Sequence, residues 1–291
     1  MRTMLRILAM LAAALAGGEA RAMIPALTLP ADRALPWTYR AQPRPLRYRS
    51  GDLLITIAAR PARDGYGWIV PQVTVSRLRP VMQGPQPPTW VLTFRSFPTS
   101  PIYEHGLSVG RLDAAGHRFV MWQAYTGGAH CCFDIQLILP DEPERGVISL
   151  GNFDMEMMTD IPADVDGDGR TDFVPRDNDF LYAFASFAGS FAPPQIWNVE
   201  GGRAVNVSAA PRYRALFVEA MAETRPICLE REGERNGACA AFIAAAARIG
   251  ETDRAWAEML AAYDRDGDGD ERGPFPARLR AFLVAHGYLR E

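Results

Sequence analysis

The sequence predicts a mainly β protein, its sheets forming an antiparallel sandwich or a propeller-like array, with a smaller α-helical C-terminal domain. Three observations predict this. Short β-branched and aromatic runs recur between turn residues as far as residue 207. A Gly-Gly hairpin signal closes that series, and the apolar spacing then changes from period two to period 3.6 near residue 209.

Residues 1–22 stand apart from the fold. Arg2 and Arg6 precede an apolar run at 7–16, and Ala20-Arg21-Ala22 places small residues at minus three and minus one of a cleavage point. The run is shorter than the roughly 20 residues that span a bilayer. The segment therefore reads as a cleaved signal peptide, which predicts an exported protein, periplasmic or extracellular. No later segment approaches a transmembrane span. Residues 23–50 are rich in Pro and Arg and lack periodicity, predicting an extended leader over the surface, or a disordered one.

Residues 51–208 carry the all-β pattern. Strand signals fall at 53–57, 68–75, 90–94, 118–125, 133–139, 147–150 and 180–187. The runs 195–199 and 203–207 flank Gly201-Gly202, a hairpin turn signal. Residues 209–291 form the helical domain. An Ala-rich helix is predicted over 238–249, with Asn236 as its N-cap and Gly250 just past its end. Ala255, Trp256, Met259, Leu260 and Tyr263 mark one face of a second helix, and Leu279, Phe282, Leu283 and His286 one face of a third.

All 31 basic residues are Arg and the formal net charge is −3. No basic cluster is interleaved with aromatics, which argues against nucleic acid as a partner. The four cysteines, Cys131, Cys132, Cys228 and Cys239, are an even set suited to an oxidising compartment. Three connectivities exist. The preferred one pairs Cys228 with Cys239 and leaves Cys131 and Cys132 as neighbours. Another joins the adjacent pair to the C-terminal cysteines, and sequence leaves both open.

The strongest motif is the nine-residue run 164–172, D-V-D-G-D-G-R-T-D. Asp164, Asp166, Asp168 and Asp172 occupy positions one, three, five and nine, with Gly169 at six. Calcium takes six to eight hard oxygens at about 2.3–2.6 Å, and alternate residues of a tight loop can turn several carboxylates inward. The carbonyl of Arg170 can add a neutral oxygen. Four carboxylates this close repel one another without a cation. Position twelve is Pro175 rather than the Glu of an EF-hand, and Phe173-Val174 continues as a strand. Over 161–177 the run resembles the FG-GAP or VCBS calcium loop of integrin-like propellers. That resemblance implies Asp164, Asp166, Asp168 and Asp172 as side-chain ligands of Ca2+ and Arg170 as a backbone ligand. It extends to no whole-chain family, since no further copies are found.

A second acidic loop contains Asp264, Asp266, Asp268 and Asp270, with Gly269 at position six. Arg272 and Phe275 stand at positions nine and twelve, so no second anchoring carboxylate arrives on schedule. A weaker calcium site and a solvated interhelical loop are the two readings.

The third feature is the run 125–134, Y-T-G-G-A-H-C-C-F-D. The preferred reading is a cystine at a tight β turn, with His130 packing beside it. The alternatives are a copper or zinc site, to which Met155, Met157 and Met158 could contribute, and a cysteine nucleophile. In a strand His130 and Cys131 face opposite ways, so a base would have to be His105, His117 or His286. Asp154, Glu156 and Asp160 read as surroundings of the calcium loop rather than as a glycosidase pair. G-x-S-x-G, H-E-x-x-H and P-loop signatures are absent.

Together these features predict an exported, calcium-stabilised binding or structural protein of the cell envelope or extracellular space, its ligand an unidentified protein or glycan. The alternative is a periplasmic hydrolase or thiol/copper protein acting through His130, Cys131 and Cys132.

Overall fold

The structure is a computed structural model that describes residues 25–63, 66–79, 88–127, 132–154, 157–230, 234–263 and 273–290. The predicted signal peptide, His130, Cys131, Met155, Glu156 and the acidic loop 264–270 lie outside the described residues.

The first sheet is built from β1 (Leu27–Thr28), β3 (Leu46–Ser50), β4 (Leu53–Pro61), β5 (Ile69–Arg77) and β6 (Trp90–Arg95), in that spatial order. The second runs β10 (Val147–Phe153), β9 (Phe133–Ile138), β8 (Arg118–Tyr125), β7 (His105–Arg111), β2 (Leu35–Trp37). Within both sheets every pairing is antiparallel except β1 with β3. A separate hairpin joins β11 (Trp197–Glu200) to β12 (Arg203–Asn206) through Gly201 and Gly202, both at positive φ. The Gly-Gly signal thus marks a turn that glycine adopts without strain.

Leu53, Ile55 and Ile57 of β4 and Val73 and Val75 of β5 face Leu107, Val120, Trp122 and Ile138 of the second sheet. This is the sandwich core. The second sheet is also covered on its other face, where Phe119, Met121, Ile135 and Leu137 pack with Phe173 and the hairpin's Trp197. Strand β8 therefore sends alternate side chains into two different cores, which is why it reads as an almost continuous apolar run.

Residues 27–50 are not a surface leader. They supply β1, β2 and β3, and bury Trp37 and Tyr48 at 1% and 2% exposure. The strand expected at 180–187 is also absent. A 3₁₀ turn at Asn178–Phe180 replaces it, followed by turns. Its aromatics meet helical partners edge-on instead of pairing in a sheet: Phe180 lies 5.0 Å from Phe282, and Phe184 lies 5.4 Å from Phe275.

Among the described residues the C-terminal part holds four helices, α1 (Arg214–Leu229), α2 (Asn236–Arg248), α3 (Thr252–Ala262) and α4 (Phe275–Ala285). Helix α2 is the centre of this unit, buried continuously from Gly237 to Ala246. Its small side chains let the neighbours close on every side. Asn236 is the first helical residue rather than the cap, and no side chain caps that end. Gly250, at φ 76°, ends the helix as expected. Cys228 and Cys239 lie at disulfide distance, S–S 2.09 Å, tying α1 to α2. Phe180 and Ile196 belong to this helical core, so its packing begins ahead of the boundary read at residue 209. Among the described residues no helix is long and apolar enough to cross a membrane.

One row of the second sheet runs Trp37, His105, Ala124, Asp134 across four strands. His105 is fully buried, stacked on Trp122 at 5.4 Å, and its Nδ1 accepts a hydrogen bond from the Tyr125 amide at 3.2 Å. Burial lowers its pKa from 6.5 to about 4. Below its unfolded pKa the unfolded chain takes a proton that the folded chain refuses. Stability is therefore full above pH 6.5 and falls down to about pH 4, by roughly 3 kcal/mol in total. Asp134, on the same face, has its pKa raised by desolvation, which acts in the opposite sense as pH falls. Urea unfolding of the wild type and His105→Gln across this range separates the two. The variant is expected to lose most of the acid-side decline, and equal slopes in both proteins would refute the assignment to His105.

Candidate metal centre

The turn at 164–172 forms because its carboxylates cap its own backbone. Gly167 and Gly169 sit at φ 80° and 86°, a region open to glycine. Asp164 Oδ1 accepts from the amides of Gly167 at 2.8 Å and Asp168 at 3.2 Å, and its Oδ2 accepts from Gly169 at 2.8 Å. These backbone donors, the Gly169 amide foremost, hold the Asp164 pKa below its ordinary value. Asp166 and Asp168 each accept from the amide two residues on, both at 2.9 Å.

The loop is anchored through its C-terminal half. Its carbonyl at Gly169 accepts from the Ala114 amide at 2.7 Å, and the Thr171 amide donates to Leu112 O at 2.9 Å, pinning it to the β7–β8 turn. Beyond it, Phe173 exchanges two 2.9 Å backbone bonds with Trp197. Asp172, 2% exposed, accepts from the Val165 amide at 2.9 Å, Asn198 Nδ2 at 2.7 Å and the Tyr213 hydroxyl at 2.6 Å. Burial and then the Asp172 charge push the Tyr213 pKa upward, so it stays a donor.

Carboxylate oxygens of Asp164, Asp166 and Asp172 lie within 4.8 Å of one another. The Asp166 side chain is only 1% exposed, and its Oδ2 makes no aligned hydrogen bond. That oxygen meets the Arg212 guanidinium, whose other end stands 3.3 Å from Asp168. Three converging hard oxygens fit a hard divalent cation, for which the Arg212 guanidinium now supplies the compensating positive charge. Asp168 turns toward Arg212 instead of joining the three, and the Arg170 side chain pairs with Glu200 at 2.8 Å. A groove of about 700 Å³ runs beside the loop, lined by Asp164, Arg170, Arg111 and Arg118 among others.

Arg212, Tyr213 and Asn198 complete the site and were not found by sequence reasoning. They sit 26 or more positions beyond the loop's residues that they touch, and no local spacing announces them.

The other candidates fall elsewhere. Cys132 is disulfide-bonded and buried at the β8–β9 turn, the opposite end of β8 from the loop. Its amide donates to Thr126 Oγ1 at 3.1 Å. His117 pairs with Asp113 at 2.6 Å in the β7–β8 turn, and His286 with Asp179 at 2.8 Å. His105 is held by Tyr125, so each of these three imidazoles has a partner other than Cys132. Met158 is bound through its backbone to Gln123, at 2.8 and 2.9 Å. Asp160 bridges to Arg33, and the Asp154 amide donates to Asn178 at 2.8 Å.

Comparison with known proteins places the chain. No solved structure matches it. Residues 218–287, from within α1 to just past α4, match the family model of the sll0997 C-terminal domain. An uncharacterized protein, y4bJ of Sinorhizobium fredii, is 28% identical over 58% of this chain, which covers 30% of that relative. A probable thylakoid lumen protein of Synechocystis sp., sll0997, is 31% identical over 84% of this chain and 75% of its own length. The likeness to it thus extends well beyond the helical domain, and the chain belongs to the sll0997 family.

Proposed function

We propose that this is an exported calcium-stabilised binding or structural protein, in which a cation at Asp164, Asp166 and Asp172 locks the β sandwich to the helical domain. The observation that carries the reading is the convergence of those three carboxylates within 4.8 Å at a loop whose buried member is held by Tyr213. Tyr213 directly precedes α1, so the loop touches both units. Export is supported by the N-terminal sequence pattern and by the relative named as a probable thylakoid lumen protein. Asp168 and the Arg170 carbonyl join as ligands if the cation displaces Arg212.

A bound ion stabilises the folded state by RT ln(1 + [Ca]/Kd), about 2.7 kcal/mol at a hundredfold excess over Kd. Thermal melting in calcium and in chelator tests this, for wild type and Asp166→Asn. The variant keeps the shape and the acceptor for the Asp168 amide but loses the charge. The wild type is expected to melt higher with calcium by several degrees, and the variant to gain little. Identical melting of the wild type in both buffers sinks the reading.

A further inference from the structure

Among the described strand residues, the outward face of the first sheet holds four arginines and no carboxylate. Side chains alternate along each strand, so residues 47 and 49 on β3 and the even positions of β4 and β5 point away from the sandwich core, as do the odd positions of β6. Arg47, Arg49, Arg60 and Arg95 project from this face. Between them stand Thr56, Thr74, Thr93 and Gln72, and the remaining positions are Ser or aliphatic. None of these outward residues belongs to any of the three buried cores. Arg60 and Arg95 are exposed and have no acidic partner among the described residues. The Arg49 Nε donates to Gly51 O at 3.1 Å, which orients its remaining nitrogens.

One row across the sheet runs Arg47, Thr56, Thr74, Thr93, and the last two hydroxyls lie 2.9 Å apart. With strands about 4.8 Å apart the row covers roughly 14 Å. A cationic face this broad is at odds with a chain of net charge −3. We infer that this face docks an acidic polysaccharide, its carboxylates on the guanidinium groups of Arg49, Arg60 and Arg95 and its hydroxyls on the threonine row. Guanidinium groups pair with carboxylates in a planar, two-bond geometry. The face is flat, so it does not enclose a small anion. Its strand positions carry no aromatic side chain, the exposed Trp68 and Phe97 standing beyond the strand ends at its rim, so the flat middle of the face presents guanidinium and hydroxyl groups rather than stacking surfaces for bases. The inference is independent of the calcium reading.

The test uses polygalacturonate as probe, in chelator, by affinity electrophoresis of the mature protein at low and high salt. A triple variant, Arg49→Gln with Arg60→Gln and Arg95→Gln, is compared with a charge-matched control, Arg203→Gln with Arg280→Gln and Arg290→Gln. The expected result is salt-sensitive binding by wild type and control, and binding about tenfold weaker in the sheet variant. Neutral dextran and vesicles of phosphatidylcholine with phosphatidylglycerol are expected not to bind. The substituted side chains lie outside the cores, so an unchanged melting temperature accompanies the loss. No binding by the wild type, equal weakening in both triples, or binding to the vesicles but not the polysaccharide each overturns the inference.

Discussion

Asp172→Ala is expected to destabilise the protein by about 4 kcal/mol even in chelator, where no metal contributes. The carboxylate satisfies three donors at once, the Val165 amide, Asn198 Nδ2 and the Tyr213 hydroxyl. Removing it leaves the Asn198 and Tyr213 donors buried without this acceptor, at a cost of about 1–3 kcal/mol each before relaxation, while the Val165 amide sits in an exposed residue. The Tyr213 bond, 2.6 Å long and charge-assisted, is the strongest of the three. Urea unfolding of Asp172→Ala, Tyr213→Phe and the double variant forms a cycle that isolates it. A coupling of about 1–2 kcal/mol is expected. A coupling near zero would show that the loop and the start of α1 are not energetically joined. The structural role would then fall, whatever calcium does.

Gly237→Ala is expected to cost about 3 kcal/mol or more. Two effects compete at this position. Helix propensity favours alanine by up to about 1 kcal/mol in a helix interior. Against it, a Cβ at 237 would stand 2.1 Å from the Gly189 carbonyl oxygen and 2.9 Å from Ser190 Cα. Both obstacles are backbone, so no side-chain rotation relieves them, and overpacking of this kind outweighs the propensity gain. The turn that is pushed away is also held by Glu234, whose Oε2 accepts from Ser186 Oγ at 2.5 Å and from its amide at 3.1 Å. Denaturant melts of the variant read the sign directly. A stabilised variant would mean that the 186–190 turn does not pack on α2.

What could be read from the sequence was local. The strand runs at 53–57, 90–94 and 118–125 stand in the sheets because β-branched and aromatic residues bounded by turn residues have few other outcomes. The hairpin at Gly201-Gly202 and the stop at Gly250 rest on backbone angles that one residue type permits. Strand β7 escaped notice because Gly106 and Gly110 interrupt its pattern. Helix α1 escaped although its buried positions 217, 220, 221, 224 and 228 are helically spaced, because Ala and Thr among them mute the apolar signal and Pro226 sits in its last turn. The segment 180–187 misled for the opposite reason. Its aromatics are rich enough for a strand, yet their partners lie a hundred residues away in α4.

The same division runs through the candidate metal centre. The sequence by itself determined the acidic loop, since alternating Asp with Gly169 is a local pattern whose chemistry follows from spacing. It also determined the mainly β architecture and the change to helices near residue 209. Only the tertiary structure decided which carboxylates converge: Asp164, Asp166 and Asp172 meet, while Asp168 turns to Arg212. It alone brought Asn198 and Tyr213 onto Asp172 and turned the Pro- and Arg-rich stretch at 27–50 into strands of both sheets. The physical reason is range. Turn geometry and carboxylate spacing act over a few residues, whereas a buried charge takes its hydrogen-bond donors from whatever the completed fold places beside it.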